Sequence, residues 1–342
     1  MTRVLIWVIL LLVLMLGMSW ADPVVLEDLV RPETLTVGGG RIFVTEGAKV
    51  YLFDLETLKP IRTFGRSGEG PQEFKIYPVG SEAVILHGGL ALVNSIGKVS
   101  WVTLDGEFRR EVGTKYPFAR FKPLCGGYVG SGEDVQNRIY FQTVHIYDGS
   151  FERVLEIYRR RDWAQEVGGN RVLDAGGLIV RTAAGRVYVG DRRTDAIAVF
   201  DGAGKRVLTV SHPFEKVPVT GKDIERYHDY YRSHPFFKAV YEQYKKSFVF
   251  PEVYPWIRDF VIDEDRLFVL TFKREGRRSV LVRFDLDGRY QGRRSVPFFD
   301  RDIQNPCPFA IHGGRLYQLV EDENEEHWRL HVTPLIDEEP GA

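Results

Sequence analysis

The chain has 342 residues, enough for one large domain or two ordinary ones. Aromatic residues make up 13%, there are 34 glycines, and Met and Cys number only 3 and 2, a mix that favours β-structure with tight turns over helical packing. The formal net charge is −1 and no long run of like charge occurs, which excludes a nucleic-acid footprint.

The first element in chain order reads as an export signal. "MTRVLIWVILLLVLMLGMSWADP" carries one positive charge, Arg3, then an apolar run of about 14 residues, and closes on the small-x-small pattern Ser19-Trp20-Ala21. Residues 1–21 are therefore expected to be removed by cleavage after Ala21. The competing reading, an uncleaved membrane tether, asks for about 20 apolar residues, and the run is shorter. No Cys stands at the cleavage point to take a lipid. Nothing later in the chain is apolar enough to span a membrane, so a periplasmic or secreted protein is expected.

The mature chain then repeats one pattern. "TLTVGGGRIFVTE", "AVILHGGLALVN", "LIVRTAAGRVYVGD", "DFVIDEDRLFVLT" and "FAIHGGRLYQLV" each alternate apolar and polar residues and break at a Gly- or Asp-containing turn. "RFKPLCGGYVGSG" is a weaker copy. A second half follows in "KVYLFDLETLKPIRTFG", "KVSWVTLDGEFRREVG", "AIAVFDGAGKRVLTV" and "VLVRFDLDGRYQGRRSV", whose Asp-Gly tips are strong hairpin signals. "RIYFQTVHIYDGSFERVLEIY" is the same with longer strands. Six units of four antiparallel strands result, about 40 to 80 residues apart. Such a unit cannot bury both faces alone, and radial stacking is the solution that does so, an all-β six-bladed β-propeller over 22–336. The last unit runs out after three strands, so Val24–Val30 is expected to supply its outer strand. Residues 337–342 read as a disordered tail.

The stretch "TFGRSGEGPQEF" suggests a phosphate loop, but its Gly70 is followed by Pro71 and Gln72 and then by strands, where a P-loop needs Gly-Lys-Ser/Thr and a helix. It fits a crossing from the outer strand of blade 1 to the inner strand of blade 2, with Gly65, Gly68 and Gly70 permitting turns and Phe74 plugging the space between blades. This connector, and the six units together, resemble the six-bladed propellers of the NHL and TolB-like families over Val24 to Ile336. The resemblance implies the fold and an exported bacterial protein, and it leaves activity open, because propellers host enzymes, receptors and scaffolds.

One segment, about 217–255, is not propeller. Thr220 with Asp223 predicts a capping box, and the spacing of Ile224, Tyr227 and Tyr231 and of Phe237, Val240, Tyr241 and Tyr244 predicts two helices over 221–233 and 235–248, between blades 4 and 5. Its aromatics supply either a small core on the propeller face or a lid over the channel mouth, and the two are compatible.

Several candidate sites read as structural. His87 and His312 share the same turn of blades 2 and 6 and stand too far apart to bind one ion, and Asp285–Arg289 reads as a hairpin tip rather than a calcium loop. No nucleophile-elbow, HExxH or Walker sequence occurs. Cys125 and Cys307 are placed on the innermost strands of opposite blades, which predicts two free thiols.

The mouth of a propeller channel is lined by loops entering the first strands, here offering Arg120, Arg258 and Asp259, with Tyr254 and Trp256 nearby, and by loops joining second to third strands, offering Glu46, Asn94 and Asp191. The arginines suit an anionic ligand. The leading expectation is an exported, non-enzymatic protein of the cell envelope that binds a small molecule or a protein at this mouth without a cofactor. The alternative is a divalent-metal-dependent hydrolase, lactonase or lyase holding calcium or zinc through Glu46, Asn94 and Asp191, as gluconolactonase-like and some NHL enzymes hold an ion in the channel.

Overall fold

A computed structural model describes residues 23–75, 84–161, 170–171, 177–235, 237–303, 305–322 and 327–335. The expected signal segment and the 337–342 tail lie outside the described residues.

Six four-stranded antiparallel sheets form the blades. Blade 1 begins at Thr34–Gly38 and ends at Pro60–Phe64, blade 2 runs from Val84–His87 to Phe108–Gly113, and blade 3 from Arg120–Leu124 to Arg153–Arg161. Blade 4 runs from Ile179–Ala183 to Arg206–Val210 and blade 5 from Asp259–Asp263 to Tyr290–Pro297. Blade 6 has three strands of its own, Phe309–His312, Arg315–Asp322 and His327–Pro334. Its outer strand is Val24–Leu26, which pairs antiparallel with Trp328–Leu330, so the two ends of the domain close the ring as the incomplete last unit predicts. Leu26 and Leu29 are buried there, and the Trp328 indole N–H donates to the Val30 carbonyl at 3.0 Å.

The inner strands of each sheet depart from the simple alternation expected of a half-buried sheet. In Arg41–Glu46 the four central residues are all buried, and the same holds for Lys49–Asp54 and Arg186–Asp191. The cause is that a blade has neighbours on both sides. Val44 packs into the cluster with blade 6, whereas Phe43, one residue earlier, packs into the cluster with blade 2. Odd and even positions of one strand thus face different blades, and both faces are core.

The hairpin tips repeat one device. At the end of the third strand, Asp54, Asp148, Asp201 and Asp285 each accept backbone N–H groups from the turn through Oδ1, and Thr103 does so through its hydroxyl in blade 2. These contacts satisfy turn donors that the ladder cannot reach. They confirm Asp285–Arg289 as a hairpin tip. The turn glycines serve packing too. A Cβ on Gly204 would stand 2.4 Å from Leu155 of the preceding blade.

The Gly-rich connector behaves as a blade crossing. Arg66–Ser67 and Glu73–Phe74 pair in parallel, Glu73 accepts from the Gly70 N–H at 2.8 Å, and Phe74 is buried among Phe43, Leu52 and Val84 of blades 1 and 2. Gly65 and Gly68 hold positive φ angles of 85° and 154°, while Gly70 does not adopt the left-handed region expected of it. Gln72 does, at φ 61°.

Helix α1, Gly221–Ser233, matches its predicted bounds and its capping box: Thr220 Oγ1 accepts from the Asp223 N–H, and the Asp223 carboxylate accepts from the Thr220 N–H at 2.9 Å. The second helix is a correction. Only Tyr241–Tyr244 is α-helical, followed by a 3-10 turn at Lys245–Ser247. His234 is extended at φ −66°, ψ 126°, the conformation favoured by a residue that precedes proline, and Pro235 lies in a turn. Phe237 then stacks on Tyr231 at 4.6 Å, which folds the chain across α1 instead of continuing it.

The cysteines also move from their expected places. Cys125 is exposed in the turn just after Arg120–Leu124, and Cys307 is buried in the loop just before Phe309–His312. Both are free thiols. His87 and His312 each end the first strand of their blades, and His312 Nδ1 lies 3.7 Å from Asp263 of blade 5.

Candidate ligand site

Loops that join the fourth strand of one blade to the first of the next lie at the same end of the ring as the loops joining second to third strands. Every residue of the candidate ligand and metal sets belongs to this end, whereas His87 and His312 end first strands at the other. The register makes them comparable. Leu35, Phe121, Val180, Phe260 and Phe309 pair with equivalent positions of their second strands. Counting from them places Arg120, Ile179, Asp259 and Pro308 in one ring around the channel, and Lys122, Arg181, Val261 and Ala310 in the next. Blades 3 and 4 therefore bring three cations, Arg120, Lys122 and Arg181, to the innermost strands.

Asp259 answers part of that charge. Its Oδ1 accepts from Arg181 at 3.2 Å, joining blades 4 and 5, and from its own neighbour Phe260 N–H at 2.7 Å. Arg258 is buried beside it. Its guanidinium pairs with Asp300 at 2.8 Å, lies 5.5 Å from the centre of the Phe272 ring, and shares Asp300 with Arg274. Arg192 of blade 4 crosses over to donate to the Arg258 carbonyl. Arg258 thus anchors the approach to blade 5, while Arg120, half-buried, donates to the Phe118 carbonyl at 3.3 Å.

The inserted segment reaches over this end. Val217–Pro218 pairs with Val253–Tyr254 at its base, and Asn170–Arg171 of the preceding connector pairs with Phe248–Val249 on its return. Tyr254 stacks on Phe272 of blade 5 at 4.6 Å, and its phenol feels the charge of the Asp223 carboxylate at the start of α1. Burial, then the Asp223 charge, push the Tyr254 phenol up to about 12. Tyr230, near the end of α1, is also pushed up to about 12, first by burial and then by Asp302 of the blade 5–6 connector, with Arg31 of the blade 6–1 connector opposing. The helix therefore extends from blade 5 toward the connectors that flank blade 6. Both phenols stay protonated near neutral pH and keep their O–H donors. Trp256 is less a contact group than expected. It is buried, stacks on Phe214 at 4.3 Å and belongs to the core between blades 4 and 5.

The three oxygen donors of the metal alternative take separate partners. Asn94 is engaged at both ends of its amide: Oδ1 accepts from the Phe121 N–H at 2.9 Å and Nδ2 donates to the Phe121 carbonyl at 3.0 Å. It ties blade 2 to blade 3. Asp191 is buried and pairs with Arg160 of blade 3 at 2.6 Å, with the Tyr158 hydroxyl at 2.8 Å and with the Arg193 N–H at 3.0 Å. Burial, then Asp191, push the Tyr158 phenol up to about 12. Glu46 accepts from the Val30 N–H at 3.1 Å, on the side of blade 6. In strand register Glu46 and Asp191 are equivalent to Ser95 and not to Asn94, which faces the other neighbouring blade. The three side chains do not form a common donor set in this arrangement. No group of three His, Cys, Asp or Glu side chains able to hold an ion occurs among the described residues.

Sequence reasoning missed one group at this mouth. Glu33 precedes the first strand of blade 1, its Oε2 is buried without a hydrogen bond, and burial raises its carboxyl above the usual range despite Arg301 and Arg31 nearby. Its position, equivalent to Arg258, was the available signal.

Fold and mouth together define the class: a six-bladed β-propeller with a helical insertion over the end where its connectors gather. No protein-family model and no curated protein sequence matches the chain. Among solved structures it is similar to a Bacteroides fragilis protein designated as exported, 12% identical, covering 93% of this chain and 97% of that one with a TM-score of 0.53. A Bacteroides caccae protein of unknown function is 11% identical over 79% and 83% at a TM-score of 0.42. BamB of Moraxella catarrhalis is 11% identical over 95% and 99% at a TM-score of 0.39. At such identities the likeness concerns the fold alone. Among the described residues no helix is long and apolar enough to cross a membrane.

Proposed function

We propose that this chain is an exported binding propeller of the cell envelope, of the NHL or TolB-like kind, that takes an anionic small molecule or an anionic patch of a partner protein beneath its helical insertion. The observation that carries the reading is how the insertion is anchored at this end: Val217–Pro218 pairs with Val253–Tyr254, Asn170–Arg171 pairs with Phe248–Val249, and Tyr254 stacks on Phe272 of blade 5. An insertion held at both ends over a mouth supplied with Arg120, Lys122 and Arg181 is suited to closing on a ligand. Arg258, Asp259 and Trp256 support the floor and walls, and Arg120 and Tyr254, both half-buried, line the mouth. Export rests on residues 1–21 and is checked by the mass of the protein recovered outside the cytoplasm, which should begin at Asp22.

The metal-dependent hydrolase, lactonase or lyase reading asks Glu46, Asn94 and Asp191 to leave Val30, Phe121 and Arg160 and turn toward one ion. No geometric feature favours that exchange, so binding is the preferred reading. Its test is a thermal-shift screen of small carboxylates, phosphates and uronic-acid oligosaccharides. At least one should raise the melting temperature of the native chain and lose at least half of that effect in Arg120→Ala. A screen in which no anion shifts the native protein would reject the proposal.

A further inference from the structure

Third-to-fourth-strand tips reach back to the blade before them, and blade 6 has no such tip to reach blade 5. In three seams the tip sets a glycine on the outer strand of the preceding blade. Gly106 meets Arg62 and Phe64, Gly204 meets Leu155 and Ile157, and Gly288 meets Leu208 and Val210. Acidic tip residues add ion pairs: Arg41 reaches Asp105 of the next blade at 2.8 Å, and Arg186 reaches Asp287 at 2.8 Å. Blade 6 has no tip of this kind, because its outer strand is Val24–Leu26.

Register identifies what the absent tip would have covered. Arg62 pairs with Leu52 and Phe64 with Val50, Leu208 pairs with Val199 and Val210 with Ile197. The corresponding residues of blade 5 are Gly292, opposite Arg283, and Arg294, opposite Leu281. Both line a pocket of about 280 Å³. Phe268, Leu281 and Leu335 form its apolar part, and Arg283, Arg293 and Arg294 its charged part. Arg266, which occupies the strand position of Arg41 and Arg186, contacts its own neighbour Asp265 at 3.7 Å instead of an acid from the next blade.

The chain itself leads toward this pocket. The Leu335 N–H donates to the Gly314 carbonyl at 2.8 Å, as the Leu55 N–H donates to the Gly40 carbonyl at 3.0 Å where blade 1 enters its tip. Leu335 lines the pocket, and the residues that follow it, outside the described ones, read Ile336-Asp337-Glu338-Glu339-Pro340. Three consecutive acids begin two residues beyond a lining residue of an arginine pocket.

We propose that the acidic segment Asp337–Glu339 docks in the arginine pocket of blade 5 and takes the place of the missing sixth tip, as a second clasp on the ring beside the Val24–Leu26 strand. Tethering two residues away gives this segment a local concentration that an untethered acidic peptide would match only at millimolar levels. The pairing is charge-based and partly exposed, so salt weakens it.

The test uses the full chain carrying Arg294→Lys and a zero-length carbodiimide, which joins an ammonium to a carboxylate only when they touch. The expected product is an intramolecular amide between the lysine introduced at position 294 and Asp337, Glu338 or Glu339, found by peptide mass spectrometry. It should be at least fivefold weaker in 0.5 M salt and absent in the D337N/E338Q/E339Q chain, which should also melt roughly 2 °C lower. Arg283→Lys provides a second site for the same linkage should the first variant fold poorly. Linkage only between molecules, linkage only to acids elsewhere, or none from either lysine in a folded chain would overturn the proposal.

Discussion

Asp191 of blade 4 and Arg160 of blade 3 form an ion pair of 2.6 Å in which both side chains are buried. Tyr158 and the Arg193 N–H complete the coordination of the carboxylate, and Gln142 takes the other end of the guanidinium. Removing one partner leaves an uncompensated charge in the core. Asp191→Ala should therefore cost about 3–5 kcal/mol in denaturant unfolding, with the loss the same in chelator and in calcium. A loss that appears only when calcium is present would point to the metal reading.

Asn94 makes a comparable tie without charge. Two hydrogen bonds hold the Phe121 backbone to blade 2. Asn94→Leu leaves a buried N–H and carbonyl without partners and should cost about 2–6 kcal/mol, since each orphaned group costs about 1–3 kcal/mol. Proton exchange at the Phe121 amide should accelerate with it.

Ring closure should be equally sensitive. Leu26 is 2% exposed on the strand that completes blade 6. Leu26→Ala should cost about 2–5 kcal/mol, with exchange at the amides of residues 327–333 rising before those of blade 3. Uniform loss of protection would contradict the clasp role of Val24–Leu26.

Two glycines separate packing from conformational freedom. Gly204 and Gly276 both have positive φ, 83° and 65°, but a Cβ on Gly204 would meet Leu155 at 2.4 Å while Gly276 faces open space. Gly276→Ala should cost about 1 kcal/mol from backbone preference alone. Gly204→Ala should cost about 1–3 kcal/mol more, from overpacking against the preceding blade.

The histidines set an acid limb of stability. Burial, then the Arg153 charge, hold the His145 imidazole below its ordinary value, and burial does the same for His331. The unfolded chain takes up these protons first as pH falls through about 6.5. Their contribution is thus full above that pH and is lost progressively below it, down to the folded-state values. Glu156, held low by Arg159, acts at lower pH, below the ordinary carboxylate range. Unfolding midpoints between pH 7 and 5 should fall less steeply for a His145→Gln/His331→Gln chain than for the native one.

The architecture was legible because its signals are local. Asp-Gly tips favour φ > 0, and Gly106 and Gly288 have it, while in blade 4 the positive φ falls on Gly204, two residues after the Asp201-Gly202 pair. The three-stranded last unit and the spare Val24–Val30 strand called for each other. What sequence could not give was direction between blades. Asn94 and Asp191 looked alike as polar residues near a loop, yet register turns them toward different sides of their strands. The second helix was overdrawn because Phe237, Val240, Tyr241 and Tyr244 keep helical spacing, while the stack of Phe237 on Tyr231 is a tertiary contact that no spacing reveals. Trp256 was read as a contact group because it follows the insertion, and its burial against Phe214 depends on a residue 42 positions earlier in the chain.

The central claim is that the insertion covers the binding mouth. Its ends are adjacent, since Val217–Pro218 pairs with Val253–Tyr254 and the Val219 N–H donates to the Glu252 carbonyl at 2.9 Å. Thr220–Pro251 can therefore be replaced by a four-residue Gly-Ser linker without stretching the propeller. The account predicts a cooperatively folded chain whose melting temperature no longer responds to the anion that stabilises the native protein. An equal anion-induced shift with and without the insertion would contradict it.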